Sequence, residues 1–299
     1  QVAAGALPAV EERLPQNPMI NPVAEEIGQY GGIWHRCAVN VGDVPSAGRL
    51  TYEAFVRWNG DASAMVNNLA ESYEINDDAT EYTFRIPAGM KWSDGEPFTA
   101  DDIVSWYQDS VLNTDLTPTF PKNYLDPANN EPMLVEKADD HTIVFRFASP
   151  YGLFLEIVGN AGVEWPIHYL KQFHPNYTPM AELEPKIKAA GFTNWWELFG
   201  NRNTWQNPDK PSIWAWQPKR VPPDVPSVWE RNPYYWKVDP EGNQLPYVDS
   251  LQIDIVENAD LVNMKAVAGE IDMQLRHILW QNYPIFMENA EKGDYRVLK

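Results

Sequence analysis

The chain has 299 residues, of which 44% are hydrophobic and 13% aromatic, enough for one large domain or two moderate ones with real cores. Its 42 acidic and 23 basic residues give a formal net charge of -19. Because nucleic acids and anionic membrane surfaces attract basic patches, this charge argues against both as partners. No apolar run approaches the roughly 18–20 residues that a membrane helix needs, so the sequence predicts no membrane-spanning helix.

The cysteine content does not separate cytoplasm from periplasm, whereas the first residues favour export. Cys37 is the only cysteine, so no disulfide can form within the chain, and a chain of this length does not depend on one. Its alternating apolar neighbours predict a buried strand residue rather than a thiol nucleophile. Residues 1–8 are small, weakly charged and lack methionine, which is typical of a chain from which a signal peptide has been removed.

The first half of the chain contains several patterns typical of strands. Residues 1–29 are rich in proline without periodicity, which predicts an extended arm. Alternating side chains then predict strands over Gly32–Asn40, residues 80–87 and residues 141–148.

A turn and a helix follow the second of these strands. Asp94-Gly95 predicts a tight turn, because glycine accepts positive φ and aspartate hydrogen-bonds its local backbone. Thr99, with Asp102 three residues later, resembles a capping box, and apolar residues at helical spacing predict a helix over about 100–112.

The second half mixes helices, loops and strands. Three short helices are predicted, at 151–158, 179–190 and 194–199. Residues 201–227 are rich in Pro, Trp and Asn and predict a long surface loop. Helices and strands mix without strict alternation, so the predicted class is α/β.

The last part of the chain predicts a strand, a helix and a second strand. Residues 251–255 form the first strand, and Asn258 and Gly269 are predicted to cap the helix that follows. Residues 294–298 predict another strand. No partner for it remains in the sequence, so we expect the chain to end inside a domain.

Four stretches, in this order along the chain, carry a family resemblance. They are the pattern Trp92-Ser93-Asp94-Gly95-Glu96-Pro97-Phe98 within residues 68–106, Glu230–Trp236, Leu245–Asp249 and Ala268–Asp272. As an ordered set they resemble the family 5 extracellular solute-binding proteins of ABC importers, which capture oligopeptides, dipeptides, nickel or oligosaccharides. The resemblance covers roughly residues 30–299.

The resemblance implies a periplasmic-binding-protein-like α/β fold (type II, with an extra inserted domain) whose two lobes close over a solute. Members are longer than this chain, so it would contain the first lobe and only the beginning of the second. The implied divisions are an extended arm at 1–29, a discontinuous lobe 1 core at 30–50 and 165–257, an inserted domain at 51–164, and the start of lobe 2 at 258–299.

Polar residues near predicted strand ends are the first ligand-binding candidates. Asn40 and Asp43 follow the first strand, at the end where α/β folds commonly place ligands. Asp43 could accept a peptide amino terminus or sugar hydroxyls, or it could be an ordinary loop charge. Gln274, Arg276 and His277 lie on the connection that approaches the solute in the family, although they could equally be surface or hinge residues.

Two of the thirteen tryptophans are further candidates. Most of the thirteen are expected in cores and domain contacts. Trp214 and Trp216 lie in the segment before Glu230–Trp236, and many relatives carry a glycine-rich loop near the solute in that segment. Tryptophan in place of this loop favours a bulkier or sugar-like solute, with core packing as the alternative.

Metal and enzyme signatures are missing from the sequence. The five histidines lack metal-ligand spacing, and no G-x-S-x-G, G-x-G-x-x-G or P-loop pattern occurs. Asp239, Glu241 and Asn243 imitate the start of a calcium loop, but Gln244 and Ser250 replace its required glycine and glutamate. We therefore expect no cofactor, no metal site and no catalytic residue.

Together these patterns predict a non-enzymatic, monomeric receptor, exported to the periplasm or to the outer face of the cytoplasmic membrane. It would deliver a small solute to the permease subunits of an ABC importer. An oligopeptide is the first choice of solute and an oligosaccharide the alternative. A secreted carbohydrate-active enzyme is the alternative from another class, since two carboxylates suffice for glycoside hydrolysis.

Overall fold

The structure is a computed structural model that describes residues 5, 7–23, 25–160, 162 and 165–298. The chain divides into two compact units. Unit 1 comprises Gln1–Pro22, Tyr52–Ile213 and Pro233–Gln244, and unit 2 comprises Val23–Thr51, Trp214–Asn232 and Leu245–Lys299.

The family-based division of the chain into an arm, a core, an inserted domain and the start of a second lobe stays a prediction. Parts of it lie outside the described residues, namely 1–4, 6 and 24 in the arm, 161, 163 and 164 in the insertion, and 299 at the start of the second lobe.

Both units combine short strands with short helices. The strands within the described residues are β1 (Met19–Ile20), β2 (Ile33–Ala38), β3 (Val56–Trp58), β4 (Met65–Asn67), β5 (Ser72–Ile75), β6 (Glu81–Arg85), β7 (Leu134–Asp139), β8 (Thr142–Arg146), β9 (Trp216–Arg220), β10 (Ser227–Arg231), β11 (Lys237–Val238) and β12 (Ser250–Ile255). The α-helices are α1 (Val10–Arg13), α2 (Val44–Gly48), α3 (Ala100–Ser105), α4 (Phe154–Asn160), α5 (Ile167–Leu170), α6 (Met180–Ala189), α7 (Trp195–Arg202), α8 (Ala259–Val267) and α9 (Tyr283–Asn289).

Unit 2 is built on a four-stranded sheet in the order β2-β12-β10-β9. β2 and β12 are parallel, whereas β12 with β10 and β10 with β9 are antiparallel. Trp229, Leu251 and Ile253 are fully buried on this sheet, and helix α2 packs against it. A Cβ on Gly48 would lie 2.6 Å from the Leu50 side chain and 2.9 Å from that of Ile253, so the close approach of α2 requires glycine.

Unit 1 contains an antiparallel sheet in the order β5-β6-β8-β7, the hairpin β3-β4 and the parallel pair β1-β11. Aromatic side chains fill the core beneath the four-stranded sheet. The ring centroids of Phe55 and Phe84 are 4.8 Å apart, and those of Phe145 and Phe154 are 5.3 Å apart. All four rings are fully buried, so this cluster supplies much of the apolar burial that stabilises unit 1.

A buried polar cluster joins distant segments of unit 1. The Lys237 ammonium donates to both carboxylate oxygens of Glu53, at 3.2 and 2.9 Å, and to Asn68 Oδ1 at 2.7 Å. The Tyr235 hydroxyl donates to Glu53 at 2.6 Å. Burial is the main influence on the Lys237 pKa and lowers it, against the opposing charge of Glu53. The cluster holds β11 against the segment that precedes β3.

Most of the predicted elements are confirmed, with ends that differ by a few residues. The strand predicted at Gly32–Asn40 is β2, and those predicted at 80–87 and 141–148 are β6 and β8. The three short helices correspond to α4, α6 and α7.

The local capping predictions are also confirmed. Gly95 has φ +93°, and the amide of Thr99 donates to Asp102 at 2.9 Å as in a capping box. Asn258 accepts from the Leu261 amide at 3.1 Å at the start of α8, and Gly269 has φ +75° just after its end.

Three predictions need correction. The helix predicted over 100–112 is α-helical only to Ser105 and continues as a π-helix over Trp106–Val111. Residues 201–227 are not one surface loop, because Ile213 is fully buried and β9 lies within them. Residues 294–298 form no strand, since the Tyr295 amide donates to Ala290 O in the turn after α9, and no strand pairs with them in the described part of the chain.

Candidate functional site

The outer strand of the unit 2 sheet, β2, is flanked by the segment that follows α8. The Asp272 amide donates to His35 O at 3.1 Å, and the Asp272 carboxylate accepts from the His35 amide at 2.6 Å. Two residues further along each of these two segments, the Gln274 side chain accepts from the Cys37 amide at 3.2 Å and donates to Cys37 O at 3.0 Å. Because the backbone groups of residues two apart in a strand point to the same side, these pairs lie along the same edge of β2.

This pairing is made largely by side chains. Asp272 and Gln274 bond the backbone groups that β2 would otherwise leave unpaired at its edge. Gln274 also donates to Arg276 O at 2.8 Å. The segment therefore follows the strand to its carboxyl end and brings Arg276 and His277 there.

A short turn at that carboxyl end supplies Asn40 and Asp43. The Asn40 side chain accepts from the Asp43 amide at 3.0 Å and so caps the 3₁₀ turn Val41–Asp43. Helix α2 continues directly from this turn, with Pro45 in its first turn, where proline costs no hydrogen bond.

Asp43 is the centre of the cluster. Its Oδ2 accepts from the Val39 amide at 3.1 Å and contacts His277 Nε2 at 2.7 Å, and its Oδ1 accepts from Arg276 Nε. Burial alone would raise the Asp43 pKa, but the bonds from Val39, Arg276 and His277 together lower it below the ordinary 3.8. Asp43 is therefore ionised at neutral pH.

The three charged or titratable side chains of the cluster differ in exposure. The Asp43 side chain is 3% exposed, whereas those of His277 and Arg276 are 22% and 51% exposed. Solvent, and anything dissolved in it, therefore reaches Arg276 first and Asp43 last.

Asn263 of helix α8 holds the loop that carries Arg276 and His277. This buried side chain donates to His277 O at 2.8 Å and accepts from the Leu279 amide at 3.0 Å. His277 has φ +66°, the left-handed region that residues with a Cβ seldom adopt. Asn263, Asp272 and His35 were not among the sequence candidates, and only Asp272 lies within a family-like stretch.

The two tryptophan candidates lie elsewhere in unit 2. Trp214 is 8% exposed and packs 6.4 Å from Trp229, ring to ring. Trp216 is half-buried, lies 6.0 Å from the Trp34 ring, and donates from Nε1 to Val248 O at 3.1 Å. Trp34 precedes Asn40 by six residues, roughly 20 Å at a rise of about 3.3 Å per residue. The structure thus brings together five of the seven candidates, whereas Trp214 lies in the core and Trp216 lies beside Trp34, near the other end of β2.

Metal binding finds no support in the part of the chain that is described. No group of three or more His, Cys, Asp or Glu residues there could hold an ion. In the loop that imitates a calcium site, Asp239 Oδ1 instead accepts from the Glu241 and Asn243 amides at 2.8 and 2.9 Å, closing a turn. Over the same described residues, no helix has both the length and the apolar character needed to cross a membrane.

Comparison with known proteins identifies the family. The family model for bacterial extracellular solute-binding proteins, family 5 middle, matches residues 64–297. The chain belongs to this family of solute-binding proteins. The family 5 resemblance read from its sequence motifs is therefore confirmed.

Solved structures show the same fold. The structure of an oligopeptide-binding protein OppA matches 100% of this chain and 47% of its own, with 41% identity and a TM-score of 0.94. The periplasmic binding protein MelB of Agrobacterium fabrum C58, solved in complex with stachyose, matches 97% of this chain and 44% of its own, with 27% identity and a TM-score of 0.77. The predicted periplasmic-binding-protein fold of mixed α/β class is thus confirmed.

Among curated family members, a periplasmic alpha-galactoside-binding protein of Rhizobium meliloti (strain 1021) is 30% identical over 91% of this chain and 40% of its own length. The chain therefore spans about half the length, or less, of the family 5 proteins that it matches.

Proposed function

We propose that this chain is part of an extracytoplasmic receptor that captures an oligopeptide and delivers it to the permease of an ABC importer. The observation that carries the proposal is the cluster at the carboxyl end of β2, where Arg276 is half-exposed while buried Asp43 holds its Nε. A guanidinium anchored in this way offers its remaining N–H donors to acceptor oxygens of a solute.

Peptides present such oxygens in their backbone carbonyls. Recognition through these groups tolerates many side chains, because every peptide carries them. The 41% identity to an oligopeptide-binding protein over the whole chain supports this class of solute. His277 and Asn40, which adjoin Arg276 and Asp43 in the cluster, would complete the polar contacts.

An oligosaccharide is the second candidate. Sugars stack on flat aromatic rings, and their hydroxyl oxygens can accept hydrogen bonds from an arginine. The half-buried Trp34 and Trp216, 6.0 Å apart, are the aromatic pair that favours it. The relatives described as alpha-galactoside-binding and as bound to stachyose support the same class.

Capture would follow the physical logic of two-lobed receptors. A solute that contacts both lobes only when they are closed shifts the population toward the closed state by its differential affinity. Such a receptor binds without turnover, lies outside the cytoplasmic membrane and has the permease as its partner. Hydrolysis of an oligosaccharide would instead point to the carbohydrate-active enzyme.

Thermal unfolding of the natural full-length protein with separate peptide and oligosaccharide pools tests the proposal. A ligand at 100 times its dissociation constant adds about 2.7 kcal/mol to the free energy of unfolding, which raises the melting temperature by several degrees. We expect a rise with peptides. A rise with raffinose or stachyose alone would favour the second candidate, and no rise with either pool would contradict both.

A further inference from the structure

We propose that Asp43 is a positioning residue that acts on the solute only through Arg276. This inference rests on the proposed function of the cluster and assigns different tasks to its members.

The hydrogen bonds of Asp43 leave it little capacity for a solute. A carboxylate has about four acceptor positions, and Asp43 uses three of them for Val39, Arg276 and His277. Its side chain is 3% exposed. A peptide amino terminus or a sugar hydroxyl could reach it only by displacing Arg276 or His277.

Arg276 has the opposite character. Its Nε is held by Asp43, whereas its two terminal nitrogens have no hydrogen-bond partner within the described residues. Its side chain is 51% exposed. Because Asp43 fixes one corner of the planar guanidinium, the two terminal groups are ordered before a solute arrives, and ordering a side chain in advance improves affinity.

The pair also sets the charge of the site. The Asp43 carboxylate offsets the charge of Arg276, so the cluster presents oriented N–H donors with little net charge. Neutral acceptor oxygens, which carbonyls and hydroxyls both provide, suit such a site. We therefore expect the solute to present a pair of neutral acceptor oxygens. Measuring binding of a peptide and of a sugar shows whether these oxygens belong to carbonyls or to hydroxyls.

A double-mutant cycle tests the division of tasks. Dissociation constants for trialanine and for stachyose would be measured by calorimetry on wild type, Asp43→Asn, Arg276→Ala and the double variant. For whichever probe wild type binds, we expect Asp43→Asn to raise the dissociation constant roughly tenfold. The same substitution made in Arg276→Ala should raise it by less than about twofold. An equal loss in both backgrounds would overturn the inference, because Asp43 would then act without Arg276. Asp249→Asn, an exposed carboxylate paired with Arg231 in the same unit, is the matched control and should leave binding unchanged.

A readout without solute separates this inference from the proposed function. In nitrogen-15 spectra of the full-length protein, the Arg276 Nε–H should show the slowed exchange and downfield shift of a bond to a carboxylate, and both should be lost in Asp43→Asn. If the signal is lost while wild type binds neither probe, positioning stands and the proposed function fails. A signal that is unchanged in Asp43→Asn overturns the inference whatever binds.

Discussion

The substitution Lys237→Met breaks the buried ion pair of unit 1 and should be strongly destabilising. Lys237 donates three hydrogen bonds to Glu53 and Asn68, and the Lys237 and Glu53 side chains are 6% and 9% exposed. Methionine fits the same volume but leaves the carboxylate buried without a counter-charge. Removing one partner of a buried pair costs about 3–5 kcal/mol.

The remaining contacts place the cost near the lower end of that range. Glu53 would keep the Tyr235 hydroxyl at 2.6 Å and the Asn68 amide at 2.9 Å. We therefore expect a loss of about 3 kcal/mol in the free energy of unfolding. Adding Glu53→Gln, which removes the uncompensated charge but still accepts from Tyr235, should recover more than half of it.

Urea unfolding, followed by far-UV circular dichroism, measures these differences. Lys188→Met is the matched control, because Lys188 pairs with Glu184 at 4.0 Å on the exposed surface of α6, and its loss should stay below about 0.5 kcal/mol. A loss below about 1 kcal/mol for Lys237→Met would show that the carboxylate of Glu53 does not need its buried counter-charge. So would a double variant that is less stable than Lys237→Met alone.

Three further predictions concern stability. Burial raises the Asp102 pKa to about 6, so its contribution to stability is full below pH 4 and is lost as pH rises through 6. The unfolding free energy of Asp102→Asn relative to wild type should therefore rise by about 3 kcal/mol between pH 4 and pH 7, and a flat difference would contradict this. Gly269→Ala should lower the free energy of unfolding by about 1–3 kcal/mol, because φ is +75° and the added Cβ would lie 2.3 Å from Gly293 O. Gly200→Ala is the control: it lies within α7 with open space around it and should raise the free energy of unfolding by about 0.5–1 kcal/mol. Asn258→Ala should lower the free energy of unfolding, measured in urea, by about 1 kcal/mol, because α8 loses its N-cap. An unchanged free energy would argue against the hydrogen bond from the Leu261 amide to Asn258.

Local chemistry explains why much of the fold could be predicted. Asp94-Gly95, Thr99 and the Asn258 and Gly269 caps depend on neighbours within a few residues, and each is confirmed. The strand predicted over residues 294–298 was wrong because a strand exists only where another backbone bonds it. The local residue types carry no information about that partner.

The candidate site was predictable in part. The carboxyl end of β2 and the family-like stretch before Arg276 each indicated candidates separately. Their pairing could not be read from the sequence, since Asp43 and Arg276 are separated by 233 positions. The role of Asn263 was equally hidden, because a buried asparagine within a helix has no distinguishing pattern. The tryptophans drew attention by their residue type, but packing places Trp214 in the core.

If the cluster at the end of β2 binds the solute, the affinity for that solute must depend on Arg276. Calorimetric titration of the natural full-length protein, as wild type and as Arg276→Ala, with the peptide and oligosaccharide pools measures this dependence. We predict saturable binding of one class without turnover, weakened about 10- to 100-fold in Arg276→Ala by the loss of hydrogen bonds from a charged donor. Equal affinity in both proteins would contradict solute binding at this cluster, as would the absence of binding by wild type.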